Sequence, residues 1–268
     1  MDASAIKEAA ERLDEAERTR VQTGLLSLAY PDITMDDAYA IQAEWMRMKE
    51  AAGRTVIGHK IGLTSKAMQA ALNIDTPDSG ILLDDMRFAD GAQIPADRFI
   101  QPRIEAEVAF VMREDVRGTN VTLFDVLDAT DYVCPALEIL DTRILRVDAE
   151  TGKPRIIYDT IADNAANAGI VTGGRPMRPD DADMRWIGAI VARNAAIEET
   201  GLGGAVLNHP ATGVAWLANR LGAYGDGLKA GEIVLSGSFI RPIEARLGDT
   251  ISADFGPFGS VSCHFLAA

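Results

Sequence analysis

The stretch Pro102-Arg103-Ile104-Glu105-Ala106-Glu107-Val108-Ala109-Phe110-Val111 reads as a β-strand with two unlike faces. Successive strand side chains point to opposite sides. Ile104, Ala106, Val108 and Phe110 therefore share one apolar face, while Glu105 and Glu107 share the other, followed there by Ala109 and Val111. That apolar continuation implies that the two carboxylates are partly buried. Side by side they repel each other, and burial penalises their charge unless a cation sits between them. A third carboxylate, Glu138, lies within the apolar run Pro135-Ala136-Leu137-Glu138-Ile139-Leu140. Three carboxylates with open positions suit a hard, oxygen-preferring ion such as Mg²⁺ or Mn²⁺. A solvated strand face paired with lysines fits the same pattern, because Glu-x-Glu alone is a weak signal.

Outward from this strand the texture is β-rich. Strands are expected at residues 55–63, 100–112, 133–140, 155–158, 168–172, 186–197, 232–239, 250–255 and 260–265. Short helices are expected at residues 123–129 behind Thr122, and at 214–221 closed by Gly222. The first 53 residues read as helical. Ile6, Ala9, Ala10, Leu13 and Ala16 recur at helical spacing, and Ala38, Ile41, Trp45 and Met48 line a second helix that starts at Thr34 and stops at Gly53. Strands do not alternate regularly with long helices, which argues against a doubly wound sheet or an eight-fold α/β barrel. The expected fold is α+β: a helical region, residues 1–53, followed by a β-rich body, residues 54–268.

The run Gly58-His59-Lys60-Ile61-Gly62-Leu63-Thr64-Ser65-Lys66 sets a lysine among apolar residues and glycines. Lys60 suits substrate-carboxylate binding or proton transfer, and equally an edge-strand lysine that deters aggregation. Asp78, in the turn-like Asp75-Thr76-Pro77-Asp78-Ser79-Gly80, is a candidate acid/base on a loop or simple turn chemistry. His59, His209 and His264 are scattered without metal-ligand spacing, and His209-Pro210 reads as a helix entry. The glycine-rich stretches lack the context of a nucleotide loop. Cys134 and Cys263 read as packed, reduced thiols.

The formal charge of −14 disfavours nucleic acid and anionic membrane surfaces as partners. An acidic N-terminus without an apolar core argues against a signal peptide, so a cytoplasmic location is expected.

Several runs together resemble the hydratase and decarboxylase branch of the fumarylacetoacetase superfamily. They are Gly58 to Gln69, Pro77-Asp78 with Leu83-Asp84-Asp85-Met86, Pro102 to Glu107, Pro135 to Glu138 with Asp141, Asp159-Thr160-Ile161-Ala162-Asp163-Asn164-Ala165, Asn208-His209-Pro210, Ser236-Gly237-Ser238-Phe239 and Gly248-Asp249. The resemblance spans essentially the whole chain. It implies a twisted, mixed β-sheet body, homo-oligomers, and a Mg²⁺ site, with Mn²⁺ as substitute, held by Glu105, Glu107 and Glu138. It implies acid/base or orienting roles for Lys60 and Asp78, and substrate contacts at Leu63, Arg103 and Ser238. The implied activity is metal-dependent addition of water to a 2-oxo or 2-hydroxy dienoic acid, foremost the seven-carbon 2-oxohept-4-ene-1,7-dioate of aromatic-compound breakdown. The branch also holds 2-hydroxypenta-2,4-dienoate hydratases and 4-oxalocrotonate decarboxylases, and a chain of this kind can serve as partner to a related decarboxylase. A dioate substrate needs a cation for its second carboxylate, for which Arg103, Lys66 and Arg143 are the candidates.

Overall fold

The structure, a computed structural model, describes residues 1–66, 69, 70, 74 and 76–267. Ala67 and Met68 of the quoted lysine run, and Asp75 of the turn, lie outside the described residues.

Three helices come first: α1 (Ala3–Thr19), the single turn α2 (Leu26–Ala29) and α3 (Met35–Ala51). Asp2 caps α1 by accepting from the Ala5 amide, and Thr34 and Asp37 form a reciprocal capping box on α3. The apolar faces read from the sequence meet here. Ala9, Ala10, Leu13, Ala38, Ile41 and Trp45 pack with Leu83, Met86, Ile144, Ile161 and Ala162 of the body.

The body runs through β1 (Val56–Gly62), β2 (Asp78–Leu83), β3 (Arg87–Ala89), β4 (Ala92–Ile94), β5 (Arg103–Met112) and β6 (Val116–Arg117). Helix α4 (Leu123–Ala129) leads into β7 (Thr130–Leu140), and α5 (Ile157–Ala162) precedes β8 (Asn167–Thr172). A hairpin of β9 (Gly188–Arg193) and β10 (Ala196–Leu202) is followed by α6 (Pro210–Ala223). The chain ends with β11 (Gly227–Leu228), β12 (Ile233–Leu235), β13 (Ile243–Glu244), β14 (Thr250–Asp254) and β15 (Ser260–Phe265).

The larger sheet is mixed, in the order β2-β1-β12-β5-β7-β8-β3, with β13 beside β5. Strand β1 runs parallel to β12, while β5 runs antiparallel to both β12 and β7. A second sheet, β10-β9-β14-β15-β4, packs against it. The face carrying Ile104, Ala106, Val108 and Phe110 is sealed into the principal core with Val191, Val214, Leu217 and Ile251. Each large side chain so buried contributes about 1.5–3 kcal/mol, which fixes which face of β5 looks inward. The other face, bearing the glutamates, is left for the site.

Two expected strands are corrected. Residues 155–158 lead into α5, because Asp159 accepts from the Ile156 amide and from the amide and hydroxyl of Ser27. Those bonds build a helix start and override the strand preference of Ile156 and Ile157. The expected strand at 186–197 is two strands, since Asn194 and Ala195 take φ of 52° and 66° and turn the chain back into a two-residue hairpin. Asp78, expected on a loop, opens β2.

Candidate active site

Register builds the site. Glu105 stands directly opposite Glu138 across the β5–β7 pair, and Glu107 follows two residues along on the same face. One carboxylate oxygen from each of the three lies within 4.8 Å of the others. Glu107 and Glu138 are fully buried, and Glu105 is partly so. The three glutamates expected from the sequence are thus brought together.

On the neighbouring pair, Lys60 lies opposite Gly80, and Asp78 opposite Gly62. The Lys60 ammonium is buried, 3.5 Å from Glu138 Oε1. The glycines explain how two charged groups fit there. A Cβ on Gly62 would sit 2.1 Å from Asp78 Oδ1, and one on Gly80 would sit 2.5 Å from the Asn164 carbonyl oxygen. Helix α3 fixes this edge, since Tyr39 Oη accepts from the Ser79 amide and Gln42 donates to the carbonyls of Ser79 and Ile161.

Two further groups hold the glutamates. The Gly237 amide donates to Glu107 Oε2 at 2.7 Å, and Asn167 Nδ2 donates to Glu138 Oε1 at 2.8 Å. Asn167 follows three consecutive residues in the left-handed region, Asn164, Ala165 and Ala166, at φ of 52°, 51° and 58°. Such a turn is strained for residues with a Cβ and persists only where its surroundings impose it. Asn164 is clamped to both backbone groups of Ile81, and Arg143 donates to the Asp163 carboxylate and to the carbonyls of Asp163 and Asn167.

Among the described residues, the buried side-chain atoms without a hydrogen-bond partner are Asp78 Oδ1, Glu107 Oε1, Glu138 Oε2, Asn167 Oδ1 and Ser236 Oγ. Every one of these residues belongs to this face or borders it. Burial, then the charge of Glu138, pushes the Glu105 carboxyl up to about 8 and raises Glu107 well above the usual carboxylate range. Asp78 is raised by burial despite Lys60. Burial alone would lower Lys60, but Glu138, Asp78, Glu105 and Glu107 together raise it. An all-oxygen donor set gathered within 4.8 Å, with unpartnered buried oxygens on Glu107 and Glu138, fits a divalent cation with oxygen preference.

The remaining expected residues lie around this centre. Leu63, at φ 57°, follows β1 directly, and its carbonyl accepts from Gln69. Arg103 stands two residues before Glu105 on the same face and pairs with Glu244 at 3.5 Å. The Ser238 hydroxyl donates to the Ile240 carbonyl within its own turn, whereas the Ser236 hydroxyl is fully buried and unpartnered. Lys66 is exposed and bonded to Gln69. Arg143 is not free for a substrate: it is buried, committed to Asp163, and stacked 5.1 Å over Trp45. His209 caps α6 through its ring nitrogen, as its sequence context suggested. Sequence reasoning missed Asn167, whose signal is a lone amide in the apolar run Ala165-Ala166-Asn167-Ala168.

No family model matches the chain. A 2-oxo-hept-4-ene-1,7-dioate hydratase of Escherichia coli is 60% identical over 257 residues, 96% of each chain. The chain belongs to the branch that holds dienoate hydratases and 4-oxalocrotonate decarboxylases. Within this branch a 2-hydroxyhexa-2,4-dienoate hydratase of Comamonas testosteroni is 41% identical over 98% of both chains. The structure of a 4-oxalocrotonate decarboxylase from Pseudomonas putida G7, complexed with magnesium and adipate, superposes with a TM-score of 0.93 at 34% identity over 99% of both chains. No described helix is long and apolar enough to cross a membrane.

Proposed function

We propose that the chain is a divalent-metal-dependent hydro-lyase that adds water to 2-oxohept-4-ene-1,7-dioate, giving 4-hydroxy-2-oxoheptane-1,7-dioate. The observation that carries the metal requirement is the set of unpartnered buried oxygens on Glu107 and Glu138, with Glu105 beside them. The high identity to a hydratase named for that dioate supports the substrate.

Glu105, Glu107 and Glu138 would hold Mg²⁺ or Mn²⁺, which supplies Lewis-acid polarisation of the substrate's C2 oxygen when bound. The protein's own groups then handle protons. The 2-hydroxy-2,4-dienoate is first ketonised by protonation at C5, water adds at C4, and a proton goes to C3. Lys60, charged and buried beside Glu138, stabilises negative charge developing on the C2 oxygen. Asp78, held protonated by burial more readily than an exposed aspartate, delivers the C5 proton and, once ionised, accepts one from the attacking water. Leu63, just after β1, and Ser238, in the turn after β12, are assigned to substrate contact in this reading.

Assembly into a homo-oligomer in the cytoplasm belongs to the same reading. Trp186, Ile190, Ile197 and Leu202 expose apolar side chains on and beside the β9–β10 hairpin, which suits contact with a second copy.

The test is loss of dienol absorbance with five-, six- and seven-carbon 2-hydroxydienoates, with and without EDTA, and with product identified. The expected result is EDTA-sensitive turnover fastest on the seven-carbon dioate, yielding a 4-hydroxy-2-oxo acid. Release of CO₂ without that product would make the chain a decarboxylase instead.

A further inference from the structure

Between β7 and α5 the chain makes a narrow excursion, residues 145–156, in which the Arg155 amide donates to the Arg146 carbonyl and Val147 bridges to Pro154. This places Arg146 and Arg155 across from each other. Arg155 is tied back to the end of β7, because its guanidinium donates to Thr142 Oγ1 at 2.7 Å. Arg103 lies at the same end of the sheet, paired in register with Leu140, the last residue of β7. Three guanidiniums therefore gather where β7 leaves the sheet, next to the glutamate row.

Their charges are felt within the group. Arg146 is lowered to about 10, first by burial and then by the charges of Arg103 and Arg155. Arg155 is lowered as well, by burial first, with Arg143 and Arg103 acting in the same direction. The acids that reach the group are already engaged. Asp163, the acid felt most by Arg155, is bound to Arg143, and Asp159 accepts from Ser27 and Ile156. Asp141 accepts the amides of Ile100 and Gln101, and the exposed Glu244 is shared between Arg103 and Arg246. The Arg146 side chain has no hydrogen bond or ion pair among the described residues, although it is half-buried. Like charges held together in partial burial are costly unless an anion joins them. The group also communicates with the reaction centre, since the charge of Arg155 favours ionised Asp78.

Its position has the right scale. Arg103 lies two residues from Glu105, about 7 Å along the strand, comparable to the five-bond span from C2 to C7 of a seven-carbon dioate. We propose that Arg146 and Arg155, together with Arg103, form the subsite for the second carboxylate of a dicarboxylate substrate, so that this cluster selects dioates over dienoic acids with an apolar tail. Guanidiniums suit this work because their planar forks match a carboxylate. The proposal rests on the hydratase reading, in which the first carboxylate and the 2-oxo group lie at the three glutamates.

The test is calorimetric binding of two unreactive ligands in the presence of Mg²⁺: 2-oxoheptanedioate and 2-oxoheptanoate, which differ only at the far end. The intact protein is expected to bind the dioate more tightly by about tenfold or more. R146Q and R155Q should each weaken the dioate by about ten- to a hundredfold and leave the monocarboxylate within about twofold, with R146K recovering part of the loss. Equal losses for both ligands, or no preference in the intact protein, would overturn the subsite while leaving the glutamate centre standing. If neither ligand binds the intact protein, the 2-oxo acid reading fails and the subsite falls with it.

Discussion

Two clusters of buried charge lie a few residues apart in this chain, and they are built to opposite ends. In one, Arg143 and Asp163 satisfy each other and share three more hydrogen bonds with the backbone, under the ring of Trp45. In the other, Glu105, Glu107, Glu138, Lys60 and Asp78 crowd together and leave oxygens without partners. A buried charge that is fully met holds the fold, here by keeping the strained turn at Asn164–Ala166 in place. A buried charge left unmet marks where something else is meant to bind. The contrast also says how each cluster fails: removing a group from the first damages folding, and removing one from the second damages binding.

The largest effects test that division. Glu138→Gln is expected to weaken Mg²⁺ binding by more than about a hundredfold and abolish turnover, yet to change thermal stability in EDTA only modestly, because the charge lost beside Lys60 is offset by relief of the repulsion that raises Glu105 and Glu107. A marked drop in melting temperature in EDTA would place Glu138 with the structural cluster instead. Asp163→Ala is expected to behave in the opposite sense, costing about 3–5 kcal/mol of stability in denaturant unfolding by leaving Arg143 buried and unpaired. A cost below about 1 kcal/mol would remove the basis of the contrast.

Asn167→Leu stands between the clusters, since its amide supports Glu138 while its carbonyl accepts from Arg143. It should lower Mg²⁺ affinity by about ten- to a hundredfold with a near-native circular dichroism spectrum, and unaltered affinity would show that Glu138 needs no such support. The smallest effect is on pH. The Glu105 carboxyl, pushed up to about 8, holds a proton in the fold that the unfolded chain has already released. Its contribution to stability in EDTA is therefore complete below the ordinary glutamate range and is lost as pH rises towards 8. Over the same interval Mg²⁺ affinity should increase, because binding displaces that proton. Calorimetry in buffers of different ionisation heat would register the proton, and pH-independent affinity between 6 and 8 would contradict it.

Much of this was legible in the chain. Period-two alternation separated Ile104, Ala106, Val108 and Phe110 from the glutamates, and the core confirms it. The helix starts at Thr34 and Thr122 and the packed thiols of Cys134 and Cys263 were also readable. What escaped depends on contacts distant in sequence. Ser27 reaches Asp159 and turns a β-branched run into α5. Ala195 accepts a positive φ that alanine normally avoids. Asp78 reads as a turn residue until β1 pairs with it through Gly62. Arg143, an obvious cation in sequence, is withdrawn by Asp163, and Arg146 and Arg155 became visible as a group only when their loop was seen to close.

The most direct measurement is Mn²⁺ binding followed by electron paramagnetic resonance on the intact protein and on Glu107→Gln, a change that removes one unpartnered carboxylate and little volume. The intact protein is expected to hold one Mn²⁺ tightly per chain, displaced by Mg²⁺, and the variant none at the same concentration. The same stoichiometry and affinity in both proteins would rule out a metal held by these glutamates.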